Sequence, residues 1–442
     1  MNKLFRVRRE EYGLVAVLGL VLFSNAVAQQ IAGIVSVSGF LSSGSVNGVL
    51  VVWVVDMLLI ALVTWLQTLV VDRLNRVRLM RWLLLGCGLS YGLLRLMFAA
   101  QAPERAIYAA MFVFADLQWV IFPLVFWVMA NDLSDMAQAK RLFPLIGAAS
   151  FVGKLVGIGI TLSLPGLFRA WAIKPEEALA LNVVIYLLAC AVLLIGLRGA
   201  GERPIAPKHE SLRETLTAGW EFVYGVPSFR YLMLAILSAG VCLTILEFHF
   251  LGVTKVAYGD QASYQQFYSA YRLAITVASL LIQGFLTSRI LSRIALKNAF
   301  LIMPASLLIG AVWMIGAPGL VSAVGGMFGP KLVQKTVDET ALSTFQALVP
   351  EERRGRVSAF MESYPIVVGT LIGVALLAAS LALGGALGVQ GHVIGYLILA
   401  VLSAAIALAL ALKARAVYDA SLFNWRIKRR QRMSSLASKL DF

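Results

Sequence analysis

The sequence predicts an all-α polytopic membrane protein, with twelve transmembrane helices arranged as two six-helix pseudo-repeats. Three observations carry this. Of 442 residues, 60% are hydrophobic and only 14% charged, at a mean hydropathy of +0.83, far from the roughly quarter-charged makeup of soluble domains. The apolar residues fall in runs long enough to span, since a spanning helix needs about 20 of them at about 1.5 Å rise each. The 38 lysines and arginines gather in alternate connections between those runs.

Twelve runs qualify, at 12–38, 47–71, 79–100, 105–130, 142–165, 178–197, 230–253, 262–288, 298–317, 319–347, 357–383 and 391–412. Lys3, Arg6, Arg8 and Arg9 before the first run, and Ala26-Val27-Ala28 within it, could be read as a secretory signal with its cleavage site. The apolar character continues to Leu41, longer than a signal's core, so the run is read as a span. Cys87, Cys190 and Cys242 fall singly within spans and form neither metal nor disulfide spacing.

The net charge of +15 raises the question of nucleic acid, and its distribution answers it. Of the 38 bases, 28 lie in the N-terminal segment, the connections 72–81, 140–141, 198–213, 289–297 and 353–356, and the tail from Lys413. Only Arg105, Arg169, Lys174 and Lys255 fall on the opposite side. Basic connections stay in the cytoplasm, which predicts cytoplasmic termini. The charge then reports topology and contact with lipid headgroups, and no nucleic-acid partner is expected.

The longest polar interruption divides the runs six and six. The predicted organisation is a first six-helix bundle at 1–198, a cytoplasmic linker at 199–228, a second bundle at 229–412 and a basic amphipathic cytoplasmic tail at 413–442. Within the linker, Ser211-Leu212-Arg213-Glu214 has a capping-box pattern, and Leu212, Leu216 and Trp220 share one face of the helix it would start. The halves also echo each other. Arg141 opens run five, which reaches Gly153-x-x-x-Gly157; Arg356 opens run eleven, which reaches Gly369-x-x-x-Gly373. Small residues four apart let helix backbones approach closely.

Two parallel six-helix halves with basic inner connections describe the major facilitator architecture, in which a solute binds near the midplane and the halves rock around it. That architecture places runs 1, 4, 7 and 10 around the cavity, aided by 2, 5, 8 and 11. Charge near a bilayer's centre is costly and persists mainly beside a wet cavity or a partner. Asp116, Lys154, Arg272, Lys331 and Lys335 each lie deep in such runs. Lys331, Lys335 and Asp338 recur at i, i+4 and i+7, on one helix face, after a Gly325-Gly326 and Gly329-Pro330 stretch that would loosen the helix. Four bases against one acid predict an anionic solute held by Lys154, Arg272, Lys331, Lys335 and Asp116. The alternative is that the bases only neutralise Asp56, Asp116, Glu247 or Glu362.

Other polar positions divide between gating and packing. Asn131, Asp132, Asp135, Lys140 and Arg141, set against Asp338, Glu339, Arg353, Arg354 and Arg356 of the second half, read as inner-surface charges that latch one end shut. Glu247 and His249 are a candidate proton-coupled pair or an outer gate, since histidine titrates near neutrality. Arg95 is placed to snorkel to the headgroups. Asn25, Gln29 and Gln30 offer hydrogen bonds to a polar solute or to neighbouring helices. No phosphate loop, zinc spacing or serine elbow occurs, so neither an enzyme nor a cofactor is expected.

The polar join between runs four and five carries one further signal. Trp127 through Asn131, followed by Ala139-Lys140-Arg141-x-Phe143-Pro144-Leu145-x-Gly147, resembles the ATP/ADP translocase (nucleotide transporter) family. That family has Phe-Ala-Asn-Glu before Ala-Lys-Arg-Phe-Tyr-Pro-Leu-Phe-Gly at this join. Ala347-Leu348-Val349-Pro350-Glu351-Glu352-Arg353 is similar to its Thr-Pro-Leu-Pro-x-Glu-x-Arg loop. Here Asp132 stands for the family's glutamate and Leu142-Phe143 for its Phe-Tyr. The resemblance implies a secondary active transporter in a bacterial inner membrane, exchanging an ATP/ADP-type solute by alternating access and so binding ATP. Some relatives carry a soluble domain after the membrane part, which implies a fused or associated cytoplasmic regulatory domain as a partner. Two other readings stand beside it: proton-coupled movement of another small metabolite or lipid, and a non-transporting membrane sensor or anchor.

Overall fold

The computed structural model describes residues 7–70, 75–171, 177–197, 220–287, 293–346, 349 and 351–440. All described secondary structure is helical. Without water in a bilayer core, each backbone polar group must be satisfied inside its own segment, and the helix does this.

The first half contributes α1 (Tyr12–Ser42), α2 (Gly48–Val70), α3 (Arg76–Ala99), α4 (Glu104–Leu133), α5 (Met136–Trp171) and α6 (Ala178–Gly196). The second begins with α7 (Pro227–Ala257) and α8 (Gln261–Ile282), the latter running into a π-helical turn, Gln283–Thr287. After the short helix Leu296–Ala299 come α9 (Ile302–Gly316) and α10 (Leu320–Val333). The last of these continues through a second π-helical turn, Gln334–Asp338, into Glu339–Gln346. Helix then persists over Glu351–Leu440. This stretch doubles back, because a Cβ on Gly384 would meet His392 at 3.1 Å and one on Gly395 would meet Ser380 at 3.6 Å. In a straight helix, positions fifteen apart stand about 22 Å apart. It therefore supplies two antiparallel spans, α11 (Phe360–Gly384) and α12 (His392–Ser421).

Ten helices among the described residues are long and apolar enough to cross a membrane, and Gly48–Thr64 of α2 is a shorter apolar helix. The predicted span at 319–347 is interrupted by its π turn, so the count of twelve unbroken spans is not reproduced. Leu89, Ile195 and Leu188 are among many exposed large apolar side chains, as expected where lipid is the solvent.

α1 is apolar on all sides and is buried from Val17 to Leu41 almost without interruption, the pattern of an interior helix. It packs against α4, α5 and α6. A Cβ on Gly153 or Gly157 of α5 would stand 2.5 Å from the carbonyl oxygen of Phe23 or 2.7 Å from that of Val27 on α1. Those glycines are what let the two backbones touch. α11 meets α7 in the same manner: a Cβ on Gly369 would lie 2.5 Å from the Leu237 carbonyl oxygen, and one on Gly373 would lie 2.9 Å from Thr244. The spacing shared by the two halves thus makes the same contact in both.

A buried polar cluster ties four helices of the first half together. Asn25 Oδ1 on α1 accepts from Gln118 Nε2 of α4 at 2.8 Å and from Tyr186 Oη of α6 at 2.9 Å. Tyr91 Oη of α3 donates to Gln118 Oε1 at 2.7 Å. Asn25 therefore serves neighbouring helices, one of its two expected roles. At one end of the second half, Phe229, Phe300, Phe345, Val357 and Met361 form an apolar core, with Phe229 and Phe345 ring centroids 4.2 Å apart.

Two compact units emerge. One comprises Met1–His209 with Thr254–Val277, the other Glu210–Val253 with Ala278–Phe442. The tip of the α7–α8 hairpin, Thr254–Val277, second-half by sequence, thus belongs to the first unit, while α7 up to Val253 stays in the second.

Candidate transport site

In the second unit, Lys331 Nζ donates to Glu247 Oε2 at 3.0 Å, with the side chains 25% and 30% exposed. The depths match: Glu247 lies about ten residues before the end of α7 and Lys331 about eleven after the start of α10, which at about 1.5 Å per residue is near mid-bilayer for both. Lys335 lies within the π-helical turn after α10 and is half-buried. Its carbonyl accepts from Gln283 Nε2, at the head of the other π turn, at 2.6 Å. A π turn displaces carbonyls from the regular ladder, and Pro330 has already removed one donor from this helix.

In the first unit, Arg272 of α8 donates from Nη2 to Gln30 Oε1 of α1 at 3.1 Å, and its guanidinium lies 5.7 Å from the Tyr268 ring centroid. Both of these partners are neutral. Lys154 is half-buried on α5 beside Gly153. Asp116 of α4 neighbours Asp56 on α2, whose side chain is buried. The five residues expected to meet solute therefore fall in different settings: Lys331 and Lys335 in the second unit, Arg272, Lys154 and Asp116 in the first. Lys331 does pair with Glu247, as the neutralising alternative supposed. Asp116 has an acid for a neighbour.

Glu247 and His249, read as a proton-coupled pair or an outer gate, turn to different partners. His249 Nδ1 lies 2.9 Å from Tyr396 Oη of α12, while Glu247 holds Lys331. Positions two apart on a helix point about 200° apart, so one partner cannot face both.

Of the charges expected to latch one end, Asp132 and Arg141 find partners inside the first half. Asp132 pairs with Arg76 at the start of α3. Asp135 and Gln138 cap the start of α5 reciprocally: Asp135 Oδ1 accepts from the Gln138 N–H at 2.7 Å, and Gln138 Oε1 from the Asp135 N–H at 3.0 Å. Arg141 donates to both carboxylate oxygens of Glu11, at 2.8 and 3.3 Å. Glu11 itself is 5% exposed and also accepts from the Arg8 N–H at 2.9 Å. Asn131 is exposed at the end of α4, and Asp338 and Glu339 close the π turn after α10. The side chains of Lys140, Arg353, Arg354 and Arg356 lie outside the described residues, as does the predicted linker at 199–228 up to residue 219. Glu11 and Arg76 carry these contacts, and the sequence reading did not single them out as partners. Arg95, expected to snorkel, donates from Nε to Glu177 Oε2 at 3.2 Å.

The opposite ends of the helices are fastened by the hairpin. Lys255 donates to the Gly44 carbonyl, and Gln261 Nε2 to Tyr108 Oη at 3.1 Å. Deeper, Gln265 Nε2 donates to the Thr161 carbonyl at 2.9 Å and Ser269 Oγ to Thr161 Oγ1 at 3.2 Å. Arg272 and Gln30 form the innermost rung. This ladder joins the hairpin tip to α1, α4 and α5.

Helices long and apolar enough to span, with charges at mid-depth, define a multi-pass helical membrane protein. Solved transporters agree on the fold. The crystal structure of an auto-inhibited POT family peptide transporter superposes with a TM-score of 0.63 at 14% identity, covering 90% of this chain and 97% of that one. A bacterial homologue of the iron transporter ferroportin gives 0.60 at 14% identity, covering 94% and 100%. Residues 89–330 match the TLC ATP/ADP transporter family, and the chain belongs to that family. It is 22% identical over 249 residues to ADP,ATP carrier protein 1 of Chlamydia muridarum (strain MoPn / Nigg), covering 49% of this chain and 45% of that protein. A 51-residue stretch is 39% identical to ADP,ATP carrier protein 3 of Rickettsia conorii (strain ATCC VR-613 / Malish 7), covering 11% and 10%. The chain thus aligns with under half the length of these relatives.

Proposed function

We propose that the protein exchanges an anionic, nucleotide-like solute of the ATP/ADP type by alternating access, in a bacterial inner membrane with both termini cytoplasmic. The observation that carries this reading is Arg272, a cation at mid-span whose described contacts, Gln30 and the Tyr268 ring, are neutral. A charge so placed calls for an anion, and guanidinium groups bind phosphate through two parallel hydrogen bonds. Lys331, Lys335 and Lys154 supply further positive charge in the spans. Family membership and the carrier names of the relatives support the nucleotide over other anions.

Proteoliposomes preloaded with ADP test this by uptake of labelled ATP. The reading requires uptake that depends on internal nucleotide and is lost in Arg272→Gln. Uptake indifferent to internal nucleotide would overturn exchange, and full activity in Arg272→Gln would remove that residue from the site.

A further inference from the structure

We propose that Glu247 is a resident counter-anion of the transport site, which occupies Lys331 while the site is empty and which the phosphate groups of the solute must displace. The inference rests on the anionic-solute reading and goes beyond it, because it gives an acidic residue the role of internal competitor.

The pair is direct, at 3.0 Å, and it remains reachable: Lys331 keeps 25% and Glu247 30% of its side-chain exposure. An ion pair that served only to neutralise charge in a packed core would be sealed. The contact uses one of the three donors of the ammonium group, a compact point charge suited to phosphate. Lys335 stands one turn further along, within the π turn held by Gln283. Residues four apart on a helix share one face, so the second base can join the first on one phosphate chain. His249 takes no part, being turned to Tyr396.

An uncompensated ammonium inside a membrane is costly, so Glu247 holds the empty site neutral. A polyphosphate offers more negative charge and more acceptors than one carboxylate, and it can engage both bases. The freed carboxylate keeps access to water. Glu247 is tethered beside Lys331 at a high effective concentration, so every solute binds against it.

This fixes a sign that a structural role would reverse. In purified full-length protein, ATP and ADP affinities are measured by calorimetry for wild type, Glu247→Gln and Lys331→Gln, with inorganic phosphate as a second probe. The expected result is that Glu247→Gln tightens nucleotide binding about tenfold and lowers the KM for exchange, while Lys331→Gln abolishes binding. Unchanged or weaker affinity in Glu247→Gln, with binding still lost in Lys331→Gln, would overturn the inference and leave the anionic-solute reading standing. If wild type bound neither nucleotide nor phosphate, that reading would fail and this one with it. Should Glu247→Gln not fold, Glu247→Asp decides, because it withdraws the carboxylate by one methylene: affinity above wild type supports the competitor, and affinity at or below it overturns it.

Discussion

Gly153 of α5 and Phe23 of α1 meet backbone to backbone, so closely that a Cβ on the glycine would stand 2.5 Å from the Phe23 carbonyl oxygen. Gly369 and Leu237 repeat this at 2.5 Å between α11 and α7. Each side chain added there would push apart helices that nothing else allows to touch. Gly153→Leu and Gly369→Leu are each expected to destabilise the protein by about 1–3 kcal/mol, the usual range for overpacking. Gly159→Ala, with nothing within 4 Å of its Cβ, should not. Thermal unfolding in detergent reads the difference.

Gln118 stands at the centre of the polar cluster among α1, α3, α4 and α6, bonded to Asn25, Tyr91 and Tyr186. Gln118→Leu takes one bond from each of these three partners and should cost about 1–2 kcal/mol, at the upper end for hydrogen bonds between membrane helices. Tyr186→Phe removes fewer bonds and should cost less. A double-mutant cycle on Asn25 and Tyr186 should show coupling, since they share a 2.9 Å bond.

Arg141, within the stretch that resembles the nucleotide transporters, spans both oxygens of Glu11 just before α1. Arg141→Gln should lower the melting temperature and slow exchange. The charge swap Glu11→Arg with Arg141→Glu should recover part of both. No recovery would mean that Arg141 acts beyond this pair.

Gln283 joins the two π-helical turns by donating to the carbonyl of Lys335. Gln283→Leu removes the side-chain donor that links the two irregular turns. Turnover should fall several-fold with little change in melting temperature, as measured by single-turnover and steady-state exchange, because such turns are often functional. A large loss of stability with normal turnover would assign Gln283 to packing instead.

Much of the fold was legible because the membrane imposes it: run length, the side bias of bases and paired glycines each follow from one physical rule. Which charges meet was less legible. The depth of Lys331 in its span could be counted, and Glu247 stood among its possible partners, but choosing among Asp56, Asp116, Glu247 and Glu362 required knowing which helix faces which. Asp132 and Arg141 are set against second-half charges in the sequence reading, yet Arg76 and Glu11, which they meet, sit within their own half. Of the two readings of Glu247 and His249, spacing alone disfavours the direct pair, since residues two apart on a helix do not share a face. The π turns had no signal beyond Pro330 and its neighbouring glycines.

The ladder from Lys255 to Arg272 gives the hairpin a different standing from the rest of its half. A first-half fragment produced alone, ending in the linker, would be left with the Thr161 carbonyl, the Tyr108 hydroxyl and Gln30 stripped of the groups that satisfy them. The duplication visible in the sequence is therefore not a pair of self-sufficient pieces. The body built on α1 is discontinuous in the chain, and splitting the protein at its linker should yield two fragments that become stable only when made together.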